Sequence, residues 1–262
     1  MVKKKVNWIL FCLLLASCDF SSRLQKEILS AQESISAHKY ARAVSHYEEA
    51  VKLNPPNEAK VKILYQLGEL NTVHLARHRT AIDYFKQIIK VSINPLWQVK
   101  AKERIAEINF TILKDYFMAK KAYQTLVSYK PELDDKEFYE FRMAVSSLND
   151  GQYSEAHTLF KSMSANANHQ FNTDAWYYKA LCSMFQKKWE RAEKDISRYL
   201  QLERRRDKIV QGRFILANIL ETQENLKAAY EMYYSILGEY PNTEVVKNRL
   251  DSLYQRRIAR KR

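Results

Sequence analysis

Apolar side chains recur along most of this chain at spacings of three and four residues, the period of an amphipathic helix rather than of a strand. One pattern repeats: aromatic-x-x-Ala-x-x-x-aromatic. It reads clearly as Tyr40/Ala43/Tyr47, Tyr116/Ala119/Tyr123 and Tyr153/Ala156/Phe160. Weaker copies are His78/Ala81/Phe85, Trp189/Ala192/Ile196 and Leu226/Ala229/Tyr233. The alanines are therefore spaced at intervals of 36 to 38 residues. An alanine and an aromatic four residues apart share one helix face, so the small residue admits a neighbouring helix and the aromatic fills the space beside it. Upstream of each alanine lies another apolar-periodic segment, such as Ile63–Gly68 or Ala175–Phe185. Between the two segments a tight turn carries Lys39, Asp115 or Gly151 with Gln152. Pro55, Pro131 and Pro241 each follow an alanine by twelve residues, and Pro95 comes two residues late. Proline cannot continue a helix, so these positions predict where each second helix ends. A last amphipathic stretch, Val245 to Ile258, follows the N-cap candidates Asn242 and Thr243. Its stripe of Val245, Leu250, Leu253 and Tyr254 faces a polar side with Asn248, Arg249, Gln255 and Arg256, which suits a helix closing a stack.

Composition narrows the fold class. The 262 residues include only 4 Gly and 5 Pro, against roughly 18 and 13 at average usage. Sheets need glycine-bearing turns and phosphate loops need glycines at fixed spacing, so both are excluded. With 46% hydrophobic residues the chain has enough apolar material for a core.

The repeating residues resemble the tetratricopeptide repeat family, in which W-x2-L-G-x2-Y on a first helix precedes A-x3-F and a proline on the second. All six copies match the second-helix half. In the first-helix half, Leu67-Gly68 supplies the Leu-Gly pair and Trp176 the tryptophan. The resemblance covers residues 24–242 and implies an all-α, right-handed superhelix of about six helix-turn-helix repeats. A capping helix and basic tail then occupy 243–262.

The N-terminus reads as an address. Lys3, Lys4 and Lys5 precede the apolar run Val6 to Leu15, too short to span a bilayer and suited to a secretory signal. Leu15-Ala16-Ser17-Cys18 resembles the bacterial lipobox. That implies removal of residues 1–17, lipidation and N-acylation of Cys18, and a short linker over 18–23. Two or three acyl chains suffice for stable anchoring. Asp19 resembles the inner-membrane retention signal of enteric lipoproteins. The expected place is the envelope of a Gram-negative bacterium, with the folded part facing the periplasm. Cleavage would leave Cys182 as the one unmodified cysteine, so no intramolecular disulfide is expected.

Candidate chemistry is sparse. No G-x-S-x-G, H-E-x-x-H or metal-spaced cysteine pair occurs, so neither an enzyme, a cofactor nor a metal site is expected. His74 and His78 share a helix face without a third ligand, and Cys182 reads as a small buried residue. In tetratricopeptide proteins the first helices line a concave groove. Aligning each alanine with the family pattern places Phe138, Phe141 and Val145 there, then Tyr177, Leu181, Met184 and Phe185 with Tyr178 beside them, then Phe214 and Asn218. Gln25, Gln32, Lys62, Tyr65, Glu69 and Arg104 fill the earlier repeats. Such aromatics suit a partner groove. They equally suit the interior of a tight superhelix, since the Ala175–Phe185 helix is apolar nearly all round. The Lys-and-Asn carboxylate clamp of chaperone-binding relatives has one match here, Asn218.

The formal charge of +13 becomes +10 once the three N-terminal lysines are removed. Charge gathers in the run Glu203-Arg204-Arg205-Arg206-Asp207-Lys208, and positives in Arg256, Arg257, Arg260, Lys261 and Arg262. Export argues against nucleic acid, leaving an anionic lipid surface, an acidic partner or an anionic envelope polymer, or a solvated terminus. The expected role is a membrane-anchored periplasmic scaffold that binds other envelope proteins and no small-molecule substrate. In build it is similar to tetratricopeptide lipoproteins that act as pilotins, in barrel assembly, or as peptidoglycan-hydrolase adaptors. A regulatory or docking subunit of an envelope enzyme such as a peptidoglycan hydrolase is the alternative.

Overall fold

The computed structural model describes residues 23–259. The signal segment, Cys18, Asp19 and the tail residues Arg260, Lys261 and Arg262 lie outside them. Thirteen helices and no strand occur among the described residues. They are α1 (23–36), α2 (Tyr40–Lys52), α3 (Asn57–Val73), α4 (His78–Val91), α5 (Pro95–Glu107), α6 (Tyr116–Val127), α7 (Lys136–Asn149), α8 (Tyr153–Ala165), α9 (Asn172–Phe185), α10 (Trp189–Leu202), α11 (Arg206–Thr222), α12 (Leu226–Tyr234) and α13 (Thr243–Ala259). A π-helical segment, Ile108–Leu113, prolongs α5.

The repeat motif marks the second helices directly. Tyr40, His78, Tyr116, Tyr153, Trp189 and Leu226 are the first residues of α2, α4, α6, α8, α10 and α12. All six motif alanines are fully buried, and the residue four places on is buried in every case. The fold is an all-α array of tetratricopeptide-type helical hairpins.

The turn inside each hairpin repeats one conformation. Two residues before each second helix the backbone is left-handed, at His38, Ala76, Lys114, Gly151, Lys187 and Glu224, with φ between 52° and 79°. At four of these turns the next N–H reaches back five residues: Lys39 to Ser34, Gln152 to Ser147, Lys188 to Ser183 and Asn225 to Leu220, at 2.8–2.9 Å. That bond satisfies a carbonyl the ending helix leaves free, as in a Schellman cap. The arrangement needs one left-handed residue per hairpin, and five of the six are not glycine.

Packing fixes the remaining details. Gly68 of α3 lies where an added Cβ would sit 2.5 Å from the buried Phe85 ring of α4. Pro95 opens α5 rather than closing α4, which ends at Val91; its fixed φ suits the first helical turn, and the Asn94 side chain caps the Leu96 N–H at 2.9 Å. The Asn242 side chain caps α13 by accepting from the Val245 N–H at 3.2 Å.

The array divides into two compact units, up to Leu126 and from Val127, the division falling inside α6. In the first, α2 to α5 pack in sequence around Leu64, Leu67, Phe85 and Ile88. In the second, each helix from α7 to α13 packs on the next, and Ile196, Ile219, Tyr233 and Leu253 form a core. Burying each such side chain contributes roughly 1.5–3 kcal/mol.

Candidate partner-binding face

In the second unit the first helices α7 and α9 pack against each other as well as against α8. Their shared face carries an ordered aromatic row. Phe138 and Phe141 stand three residues apart on α7, and Phe171, in the connection before α9, stacks on Phe141 with ring centroids 4.3 Å apart and planes 10° apart. Tyr178 meets Phe141 edge to face at 5.4 Å and lies parallel to the buried Phe160 ring of α8 at 5.3 Å. Tyr177 meets Tyr178 edge to face at 5.4 Å and lies 5.2 Å from Tyr199 of α10. The Arg142 guanidinium sits 5.1 Å over Phe138.

Phe138, Phe141, Phe171, Tyr177 and Tyr178 are all half-buried. Burial raises both tyrosine hydroxyls, that of Tyr177 to about 12, so they remain protonated donors at neutral pH. Mutual stacking already fixes the rings, and a partner meeting them loses little side-chain freedom. The arrangement offers an apolar, π-rich surface with phenol and guanidinium groups at its margin.

The other groove candidates fall in different places. Leu181 is half-buried one turn beyond Tyr177 and Tyr178, on the same side of α9. Phe214 belongs to a separate set on α11, stacked on Tyr240 at 4.3 Å and edge-on to Tyr233 at 5.6 Å. Asn218 turns its amide nitrogen onto its own helix, donating to the Phe214 carbonyl at 2.7 Å. Phe185, 57% exposed, stacks on Tyr153 at the start of α8. Phe171 is the residue that alignment on the alanines missed, because it precedes the helix that the family pattern describes. Its signal was an aromatic side chain placed just before the apolar stretch.

Most described basic residues of the two charge runs are engaged. Glu203, 4% exposed, accepts from the Arg204 and Arg205 N–H groups at 2.8 and 2.9 Å and from the Arg205 guanidinium at 2.6 Å. The guanidinium holds this carboxyl at about 2. Arg205 also reaches Asp174 at 3.3 Å, and Arg206 donates to Glu239 at 2.6 Å. Arg256 bridges Glu221 and Glu224 at 3.0 and 2.8 Å, and Arg257 lies 5.7 Å over Tyr230.

A buried polar cluster between α8, α9 and α10 had not been foreseen. Lys179 Nζ lies 3.1 Å from Asp195 and 3.4 Å from the Trp176 ring centroid. Arg191 donates to His157 Nδ1 at 2.8 Å, and His157 Nε2 faces Asp195 at 3.9 Å. The neighbouring Cys182 is fully buried, which pushes its thiol up to about 12 and leaves no thiolate at neutral pH. His74 stacks on Tyr40 at 3.7 Å. No group of three potential metal ligands converges among the described residues.

No protein-family model matches the chain, and no curated protein does. Several solved structures share its fold. PilW, a widely conserved type IV pilus biogenesis factor, is 15% identical over 88% of this chain and 98% of its own, with a TM-score of 0.53. The Naa15/Naa10 assembly bound to HypK-THB is 15% identical with a TM-score of 0.60, over 86% of this chain and 33% of that one. A MamA RS-1 double mutant, also 15% identical, covers 76% and 96% with a TM-score of 0.50. At this identity the likeness is one of fold.

Proposed function

We propose that the protein is a scaffold of the bacterial cell envelope, held to a membrane through acylated Cys18, that captures a partner protein on the α7–α9 aromatic face. The observation that carries the reading is the pre-stacked, half-buried row Phe138, Phe141, Phe171, Tyr177 and Tyr178. Core aromatics of this array, such as Phe85 and Phe160, are fully buried; the row keeps its ring surfaces part-open to solvent. Aromatic anchors with an arginine beside them are the usual composition of a binding hot spot. The fold shared with PilW, a type IV pilus biogenesis factor, and with the Naa15/Naa10 assembly supports an assembly role.

A photo-crosslinking residue replacing Phe138 or Leu181 in the full chain tests this in intact membranes. One discrete adduct from either position is expected, with none from Lys161, which is exposed on α8. Equal crosslinking from all three positions, or none from any, would sink the proposal.

A further inference from the structure

One end of the first unit gathers the start of α1, the end of α2, the start of α3, the end of α4 and the start of α5. Arg23, which opens α1, acts electrostatically on Glu49 in the last turn of α2. Asn57, which opens α3, donates to the Val91 carbonyl at the end of α4 at 2.7 Å. Val61 of α3 and Trp97 of α5 share a cleft with Ile93. At this end Ile93 is 88% exposed and Leu96 57%. Trp97 is half-buried, edge-on to Tyr65 at 5.3 Å, with the Lys100 ammonium 5.2 Å over its ring.

The charge around this tip is predominantly positive. Arg23, Lys90 and Lys100 are exposed. The carboxylates of Glu49 and Glu58 are already taken by Lys52 at 2.6 Å and Lys62 at 2.7 Å. Exposed apolar side chains beside a tryptophan, with exposed cations at the same end of the unit, match the chemistry of an anionic bilayer surface. There the apolar groups enter the acyl boundary, the indole sits at headgroup level and the cations meet phosphates.

We propose that this end of the first unit is a bilayer-contact surface, with Ile93, Leu96 and Trp97 seated in the same anionic membrane that holds the acyl chains of Cys18. The proposal rests on the anchoring reading above. Cys18 is five residues from Arg23, a reach of at most about 18 Å, so the acyl chains hold this end close to the surface. The opposite end, where Val73 closes α3 63% exposed, lies about 25 Å further along that 17-residue helix.

The test places one fluorophore on the full chain, at Ile93→Cys or at Val73→Cys. The buried Cys182 stays unlabelled in the folded protein. Protein purified from membranes is reconstituted in phosphatidylethanolamine and phosphatidylglycerol vesicles carrying a nitroxide lipid, and its mass is measured. Acylated protein with quenching at least threefold stronger at residue 93 than at residue 73 is the expected result. Equal quenching at the two positions, or stronger quenching at 73, overturns the bilayer contact while leaving the anchor intact. A mass without acyl chains overturns the anchor and the contact with it.

Discussion

At the scale of single residues, the scarcity of glycine has a definite cost. Each hairpin turn holds one residue in the left-handed region, where a Cβ crowds the following carbonyl at about 1 kcal/mol and glycine pays nothing. Gly151 meets this demand, while Ala76 adopts φ 52° with a side chain. A Cβ built at Gly151 would touch nothing within 4 Å, so the backbone alone decides the outcome of a substitution there. Gly151→Ala should therefore cost about 1 kcal/mol, and the exposed Ala76→Gly should gain about as much. Thermal unfolding would show opposite shifts of roughly 2–4 °C. Shifts of the same sign would refute the cap assignment. The sequence located the turns, because the motif aromatic starts the next helix. It did not reveal the left-handed residues, since His, Ala, Lys and Glu carry no signal for that conformation.

Among the elements, the second helices were the legible half and the first helices were not. A buried alanine followed by an aromatic marks a second helix from composition alone, whereas the first helices derive their faces from neighbours that one sequence does not show. Phe141 and Tyr178 were placed on the right helices, yet their stacking depends on Phe171 in a connection outside the repeat pattern. The charged run between α10 and α11 depends on its neighbours in the same way: Arg205 clasps Glu203 and Arg206 ties α11 to Glu239. The Glu203 carboxyl lies at about 2, below its ordinary 4.5, so the folded state binds its proton less tightly than the unfolded chain. The resulting stabilisation is complete above pH 4.5 and is lost as pH falls toward 2. Glu203→Gln should lower stability at pH 7 and flatten the acid limb between those values, measured by urea unfolding at a series of pH. An acid limb unchanged in the variant would show that the clasp contributes nothing.

For the molecule as a whole, the proposed anchor and the proposed binding face draw on separate chemistry. Acyl chains on Cys18 supply apolar surface that no protein fold has to bury, and two or more of them hold a chain to a bilayer without help from the rest. The α7–α9 row is built inside the second unit from stacked rings whose positions depend on α8 and α10. Removing the acyl group therefore should not disturb the rings. Anchoring raises the effective concentration of a membrane-bound partner, so its loss acts on capture through geometry rather than through contact energy. Cys18→Ala should move the protein from the membrane to the soluble fraction with its helical circular dichroism unchanged. In intact cells, adducts formed through residue 138 should fall severalfold; in detergent extracts at matched protein concentrations they should return to the wild-type yield. Loss of the adduct in both settings would mean that the partner reads the lipidated N-terminus itself, and that the aromatic face is a structural surface of the array.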